Sequence, residues 1–169
     1  MKRLLGIVSA CLLLAAMPAS ASAASVGDWA QPTFRVRPLV TTSPTGLTPA
    51  TIKAAYGFST SMSAGSGKTI AIVDAYDDPT AESDLGVFST KFGLPACTTA
   101  NGCFKKVSQT GSSKYPKTNS GWALEISLDV QWAHAVAPGA QILLVEASSA
   151  STANLMSAED YETFVAGEA

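Results

Sequence analysis

Apolar and polar positions along the chain predict four helices that alternate with three strands. Two continuous apolar runs, 69–73 and 142–145, are typical of strands buried in a parallel sheet. A shorter run at 104–107 is expected to be the remaining strand. Helical spacing of apolar residues predicts helices at 49–56, 79–92, 122–136 and from about 152 onward. This alternation predicts an α/β fold with a mostly parallel sheet and helices on both faces.

Residues that favour helix ends mark the first two predicted helices. Thr48 and Asp78 are predicted N-caps, and each is followed directly by a proline. Gly57 and Gly93 are predicted to end these helices in the left-handed conformation that glycine adopts easily.

The N-terminal region divides into two parts that precede the α/β pattern. Residues 1–23 have the features of a secretory signal: a basic start, an apolar run and a small-residue end, Ala21-Ser22-Ala23. Residues 24–47 are rich in Pro, Ser and Thr and are expected to form an extended arm or a residual prosegment. The α/β domain is therefore assigned to 48–169, and the mature protein is expected to be secreted and extracellular.

Charge excludes several classes of partner. Of 11 basic residues, two lie in the predicted signal, which leaves nine against 13 acidic residues and a net charge near −4. Without a basic patch, neither nucleic acid nor an anionic membrane is an expected partner. No apolar stretch after the signal approaches the roughly 18 residues that a membrane span needs.

Two cysteines, Cys97 and Cys103, remain after the signal. An exported protein meets an oxidising environment, and Asn101-Gly102 between them is a turn signal, so we predict a Cys97–Cys103 disulfide. A zinc site is not expected, since two sulfurs and one histidine distant in sequence fall short of the usual four ligands.

Gly65-Ser66-Gly67-Lys68-Thr69 resembles a nucleotide-binding phosphate loop in composition only. The motif requires an earlier glycine where Met62 stands, and it must follow a strand and open a helix. Here the segment precedes a predicted strand, so an ordinary turn is expected.

Five acidic residues lie before and within the first turns of the second predicted helix. Asp74 ends a predicted strand, a position where α/β folds place functional residues. Helix capping is the expected role of the group, with calcium binding as the alternative. The group comprises Asp74, Asp77, Asp78, Glu82 and Asp84.

The strongest candidate for chemistry is a pair of carboxylates, Glu125 and Asp129, four residues apart on one predicted helix face. Large apolar residues share that face, while Ser127, Gln131 and His134 are expected on the opposite, polar face. Such a pair titrates as a coupled unit, with a pKa raised by desolvation and by the neighbouring charge. We interpret His134 as a hydrogen-bonded structural residue.

Four stretches between Leu47 and Leu155 together resemble the sedolisin family, the serine-carboxyl peptidases of subtilisin-like fold. One is the Glu125-xxx-Asp129 helix that begins with Trp122. The others are Leu47-Thr48-Pro49 through Ala55-Tyr56-Gly57, Thr69-Ile70-Ala71-Ile72-Val73-Asp74, and Ala135-Val136-Ala137-Pro138-Gly139-Ala140 with its following strand.

The resemblance implies a secreted serine-type endopeptidase that acts at acid pH on polypeptides. Glu125 would be the general base for a serine nucleophile, and Asp129 would orient it. The family's Gly-Thr-Ser nucleophile motif does not occur in this sequence, and its oxyanion aspartate and calcium loop would lie beyond Ala169. We therefore expect this chain to be the N-terminal part of an incomplete subtilisin-like domain. It is expected to have no cofactor and no peptidase activity of its own.

Other functions remain open from the sequence. The chain fits an inactive secreted peptide-binding module, a non-functional gene fragment, or one half of a domain completed by a missing C-terminal half. A glycosidase is less consistent, since catalytic carboxylates in glycosidases usually flank the scissile bond from separate elements, about 5 Å or more apart.

Overall fold

The computed structural model describes residues 29–32 and 46–167. The predicted signal, 1–23, and most of the predicted arm lie outside the described residues. Seven elements follow one another, with helices and strands alternating as predicted. They are α1 (Pro49–Tyr56), β1 (Thr69–Ala75), α2 (Ala81–Phe92), β2 (Phe104–Ser108), α3 (Ser120–Val136), β3 (Gln141–Ala147) and α4 (Thr152–Gly167).

The three strands form one parallel sheet in the order β1-β3-β2. Thr69 of β1 pairs with Gln141 of β3, and Phe104 of β2 pairs with Ile142 of β3. All three strands therefore end at the same edge of the sheet. Asp74 and Ser108 stand on either side of Glu146 at that edge.

Each face of the sheet carries its own apolar core. On one face α2 and α3 cover the sheet, and on the other α4 packs against β3 and β1. Burial of both faces explains why the strand sequences are continuously apolar instead of alternating. The first core contains Ala81, Leu85, Cys97, Phe104, Ile126, Val130, Ile142 and Leu144, and the second contains Val107, Leu143, Val145, Ala147 and Ala158.

Helix α1 begins and ends where the sequence predicts. The Thr48 hydroxyl accepts a hydrogen bond from the Thr51 N–H at 3.2 Å, and Gly57 has a φ of 69°. Gly93 likewise ends α2 with a φ of 66°.

The predicted start of α2 is wrong by two residues. The helix begins at Ala81, with Thr80 as N-cap, so neither Asp78 as cap nor Pro79 as first helical residue is correct. The reason is that Asp78 accepts hydrogen bonds at Oδ1 from both the N–H and the hydroxyl of Thr80, each at 2.9 Å, which forms a turn before the helix. Asp78 thus precedes the cap instead of forming it.

The glycine-rich segment at 65–69 is a turn that leads into β1, as predicted. The Lys68 N–H donates to the Gly65 carbonyl at 3.0 Å, and Thr69 is the first residue of the strand. It opens no helix, so the phosphate-binding geometry is not formed. Among the described residues, none of the helices has the length and apolarity that crossing a membrane requires.

Candidate functional site

Glu125 and Asp129 lie one turn apart on α3, as predicted. The helix starts there because the Asn119 side chain accepts hydrogen bonds from the N–H groups of Gly121 and Trp122 at 3.0 and 3.1 Å. Both carboxyl groups are half-buried, and Glu125 Oε2 is shielded from solvent without a hydrogen-bond partner. Burial raises the pKa of Glu125, with a further contribution from the Asp129 charge, and burial also raises the pKa of Asp129.

The structure adds a third carboxyl group, Asp74, to this pair. Asp74 lies at the end of β1, is 4% exposed, and has one carboxyl oxygen, Oδ2, without a hydrogen-bond partner among the described residues. Burial, together with the smaller contributions of the Asp129 and Glu125 charges, raises its pKa to about 7. Asp74, Glu125 and Asp129 therefore form one electrostatic unit, here called the acidic cluster.

The acidic cluster can hold and exchange protons at a pH where isolated carboxyl groups are ionised. A group with a pKa of about 7 is largely protonated in mildly acidic solution, and the two α3 carboxyl groups are shifted in the same direction. Two of the carboxyl oxygens, Glu125 Oε2 and Asp74 Oδ2, are shielded from solvent and have no hydrogen-bond partner among the described residues. These are the properties of general acids and bases.

A second group of buried polar residues lies beside the acidic cluster and is linked by hydrogen bonds and ion pairs, although Glu146 Oε2 has no hydrogen-bond partner among the described residues. Glu146 is fully buried, and its Oε1 accepts from the Asp78 N–H at 2.9 Å and lies 3.4 Å from Lys106 Nζ. Lys106 also contacts Asp77 Oδ1 at 2.7 Å. Burial raises the pKa of Glu146 to about 8, against the opposing effects of the Asp78 N–H and Lys106.

Asp78 connects the start of α2 to α3. Its Oδ2 accepts a hydrogen bond from Ser127 Oγ at 3.0 Å, while its Oδ1 is occupied by Thr80. The Ser127 hydroxyl is therefore committed to a structural carboxylate, and it is not paired with the acidic cluster.

The five acidic residues singled out from the sequence do not converge on a cation. Glu82 accepts from the Thr99 N–H and hydroxyl at 2.9 and 2.8 Å, and Asp84 accepts from the Thr80 hydroxyl at 2.8 Å. Within residues 29–32 and 46–167, the one group of three potential ligands whose donor atoms lie within 4.8 Å of one another does not include them. The calcium alternative is therefore not supported by the arrangement of these acids.

The predicted polar face of α3 is wrong. His134 is fully buried, and Ser127 is half-buried against Asp78. Leu124 and Leu128 instead reach solvent, with 37% and 38% exposure. The reason is that α3 contacts the sheet on one side and α1 and α2 on others, so its polar groups find partners inside the protein.

His134 is a hydrogen-bonded structural residue, as predicted. Its Nε2 lies 2.9 Å from the carbonyl oxygen of Pro95. A carbonyl can only accept, so Nε2 carries the proton in this contact. Burial lowers the pKa of His134, which keeps the ring neutral.

The Cys97–Cys103 disulfide is present, with the two Cα atoms 4.8 Å apart. The turn between the cysteines forms as predicted, because Gly102 adopts a φ of 75° and its N–H donates to the Thr99 carbonyl at 3.2 Å. Asn101 Oδ1 accepts from the N–H of Thr98 and of Cys103, each at 3.0 Å.

A groove of about 440 Å³ runs past the ends of β1 and β3. Trp29, Tyr76, Asn119 and Trp122 contribute to its walls. Tyr76 follows β1 directly and has a φ of 66°, which is uncommon for a residue with a side chain. Tyr76 follows Asp74 by two residues, and Trp122 precedes Glu125 by three residues. The groove therefore lies close to both carboxyl residues along the chain.

Part of the predicted arm lines this groove as an extended segment. The Ala30 N–H donates to the Ala150 carbonyl at 2.8 Å, and Trp29 forms an antiparallel bridge with Ser151. The backbone that follows β3 thus pairs with residues 29–30 at this wall of the groove.

The sequence matches no protein-family model, and comparison with curated proteins gave no significant match.

Proposed function

We propose that the acidic cluster is the proton-transferring part of a peptidase site of the serine-carboxyl type, which acts on extended polypeptides at acid pH. The observation that carries the proposal is the convergence of Asp74 with Glu125 and Asp129. Three carboxyl groups from two elements meet at the carboxyl end of the sheet, and the pKa of each is raised. The resemblance to sedolisins supplies the reaction class.

Glu125 is assigned the role of general base. In this role it would accept the proton of an attacking hydroxyl and return that proton to the leaving amine. Its Oε2 has no competing hydrogen-bond partner among the described residues. A base with a carboxyl pKa is best matched to acid solution, which fits the acid pH that the resemblance implies.

Asp129 and Asp74 are assigned supporting roles. Asp129 lies one turn after Glu125 and raises its pKa, so the pair shares protons as a unit. Asp74 is protonated below a pH of about 7 and thereby limits the negative charge that the cluster must carry. At acid pH Asp74 is therefore a protonated carboxyl group near the proposed general base, Glu125.

The proposed reaction requires a serine hydroxyl that the described residues do not place beside Glu125. Ser127 is the nearest serine along α3, and it is bound to Asp78 instead. The Gly-Thr-Ser motif of the resembled family is also missing from the sequence. The proposal therefore includes a nucleophile supplied by another segment of polypeptide, and it predicts that this chain alone does not hydrolyse peptides.

An extended polypeptide is the proposed substrate. Trp29 and Ala30 line the groove beside the cluster, and they pair with the backbone at 150–151 through one antiparallel bridge and one main-chain hydrogen bond. Main-chain pairing of this kind recognises any extended chain, and pockets for side chains provide the selectivity. Secretion, predicted from residues 1–23, remains part of the proposal.

The experiment begins with the DNA that follows the codon for Ala169, read in all three frames. A frame that encodes Gly-Thr-Ser is expected, and the polypeptide joined to that frame is expected to cleave peptides at acid pH. Glu125→Gln should lower kcat by about 10²–10⁴-fold, the usual contribution of a general base. Glu82→Gln, an acidic residue outside the cluster, is the matched control and should leave kcat unchanged. Failure to find such a frame, or equal activity of the Glu125→Gln protein, would overturn the proposal.

A peptide-binding module without catalysis is the second candidate. The main-chain pairing of residues 29–30 with residues 150–151 favours it. In that case a synthetic peptide of residues 24–32 should compete with other extended peptides for the groove. Trp122→Ala should weaken binding, whereas Trp132→Ala, on the same helix but outside the groove lining, should not. Binding that is insensitive to Trp122→Ala would exclude this candidate.

A further inference from the structure

The second chemically distinctive cluster of the protein contains Cys97, Cys103 and His134, on the opposite side of the fold from the carboxyl ends of the strands. The two sulfurs and one ring nitrogen of His134 all lie within 4.8 Å of one another. Cys103 and His134 are separated by 30 residues, so their proximity is not visible in the sequence.

His134 has an unused ligand atom. Because Nε2 donates its proton to the Pro95 carbonyl, Nδ1 carries the lone pair. Nδ1 is buried and has no hydrogen-bond partner within residues 29–32 and 46–167. Histidines that bind metals commonly donate the other ring N–H to a backbone carbonyl, and that arrangement is present here.

The distances suit a tetrahedral ion once the disulfide is opened. Zinc binds thiolate sulfur at about 2.3 Å and imidazole nitrogen at about 2.0–2.1 Å, which places ligand atoms roughly 3.5–3.8 Å apart. The His134 nitrogen lies within 4.8 Å of each sulfur and needs an adjustment of about 1 Å, whereas the two sulfurs, bonded in this structure, must move apart by about 1.8 Å once the bond opens. Two thiolates and an imidazole are ligands that zinc prefers.

The group of Cys97, Cys103 and His134 is largely buried, but Cys103 is partly exposed to solvent. Cys97 is 1% exposed and His134 is fully buried, whereas Cys103 is only half-buried. A cavity of about 270 Å³ adjoins Cys103 and is also lined by Gly102, Pro138 and Gln141. A small ion or reductant can therefore reach Cys103 without opening the core.

We propose that the dithiol form of the protein binds one zinc ion through Cys97, Cys103 and His134, and that the disulfide and the metal are mutually exclusive. A dithiol reductant opens the bond: it transfers two electrons and two protons to the sulfurs and is itself oxidised to a disulfide. Zinc then displaces both thiol protons, forms two Zn–S bonds and one Zn–N bond, and retains water as the fourth ligand. A small disulfide oxidant reverses the cycle by thiol–disulfide exchange: it takes up two electrons and leaves as two thiolates, while the Cys97–Cys103 bond forms again, which removes two ligands and releases the ion.

The test uses the full chain, reduced and kept free of oxygen, and titrated with Co²⁺ as a visible substitute for zinc. One equivalent should produce a thiolate-to-cobalt charge-transfer band and the intense visible bands of tetrahedral cobalt, and Zn²⁺ should abolish both. The oxidised chain should produce neither. Equal Co²⁺ binding by the two redox forms, or a reduced form without the charge-transfer band, would overturn the proposal.

The histidine ligand is tested separately. His134→Gln should weaken Zn²⁺ binding at least about tenfold, since even the loss of an outer partner of a ligand typically costs 10–100-fold. Unchanged affinity of a folded His134→Gln protein would exclude His134. If that variant does not fold, X-ray absorption of the zinc-loaded wild-type chain decides: two sulfur neighbours with one imidazole support the site, and two sulfurs with oxygen neighbours only contradict it.

Discussion

Asp74 and Glu146 are direct neighbours in register at the ends of β1 and β3, and both are buried carboxyl groups. Burial raises the pKa of Asp74 to about 7 and that of Glu146 to about 8. Asp74 faces further negative charge from Glu125 and Asp129, whereas Glu146 is partly compensated by Lys106 and the Asp78 N–H. Adjacent positions in one sheet thus have different surroundings: Asp74 belongs to the acidic cluster, and Glu146 belongs to a network that includes the Lys106 cation.

These two carboxyl groups make the protein more stable in acid. Both bind protons more tightly in the folded state than in the unfolded state, so folding is favoured where the protons are bound. As pH rises from about 5 to 8, the unfolded state has already released these protons and the folded state must lose them. The free energy of unfolding should fall by roughly 1.4 kcal/mol per pH unit for each group over the range between its two pKa values. Urea unfolding at pH 5 and at pH 8 measures the difference.

The matched variants identify the groups responsible for this dependence. Asp74→Asn with Glu146→Gln should flatten the dependence between pH 5 and 8, because neither amide titrates. Asp160→Asn, on the exposed side of α4, should leave it unchanged. Stability that is equal at the two pH values, or higher at pH 8, would contradict the assignment.

The chain alone should show no peptidase turnover between pH 3 and 7. Glu125 has no serine hydroxyl to deprotonate among the described residues, so the cluster lacks a nucleophile to activate. Incubation with a denatured protein substrate and mass spectrometry of the products checks this. Cleavage above that of buffer, if it disappears in Glu125→Gln, would show that a nucleophile is present after all.

Removal of the disulfide should destabilise the folded protein moderately. The two cysteines are separated by six positions, and a closed loop of that size is expected to contribute about 2–3 kcal/mol through the entropy of the unfolded chain. The double variant Cys97→Ser, Cys103→Ser should lower the free energy of unfolding by this amount under oxidising conditions. Under reducing conditions and without added metal, the two proteins should differ much less. A wild-type chain with two freely reactive thiols in oxidising solution would contradict the disulfide itself.

The hydrogen bond between Ser127 and Asp78 links α3 to the residues just before α2, and it should contribute to the free energy of unfolding. A hydrogen bond to a charged, buried group contributes about 1.5–3 kcal/mol, so Ser127→Ala should destabilise the protein by an amount in that range. In a protein that already carries Asp78→Ala, the same substitution should cost much less. A double-mutant cycle from urea unfolding measures the coupling, and additive effects of the two substitutions would show that the contact contributes nothing.

The order of helices and strands was predictable because each element carries a local signal. Thr48 and Gly57 bound α1 through caps that are visible in the sequence, and the apolar runs mark β1 and β3. The start of α2 was mispredicted because Asp78 has more than one use for its side chain: it accepts from Thr80 in a turn and from Ser127 across the fold. The second contact depends on tertiary structure and leaves no local pattern.

The candidate site was predictable only in part, for the same reason. Helical spacing places Glu125 and Asp129 together, but the approach of Asp74 depends on how α3 packs against β1. The sequence feature that marked Asp74 as a candidate was its position at the end of a buried strand. The inward orientation of His134 was likewise hidden, since its partner is the Pro95 carbonyl in the loop after α2.

Carboxyl titration of Asp74, Glu125 and Asp129 by carbon-13 NMR tests the acidic cluster most directly. All three should titrate above their ordinary values, with Asp74 near 7. Asp129→Asn should lower the pKa of both Asp74 and Glu125, because its charge raises each of them. Three carboxyl groups that titrate independently near 4, unaffected by Asp129→Asn, would contradict the account of this site as a coupled proton-transferring unit.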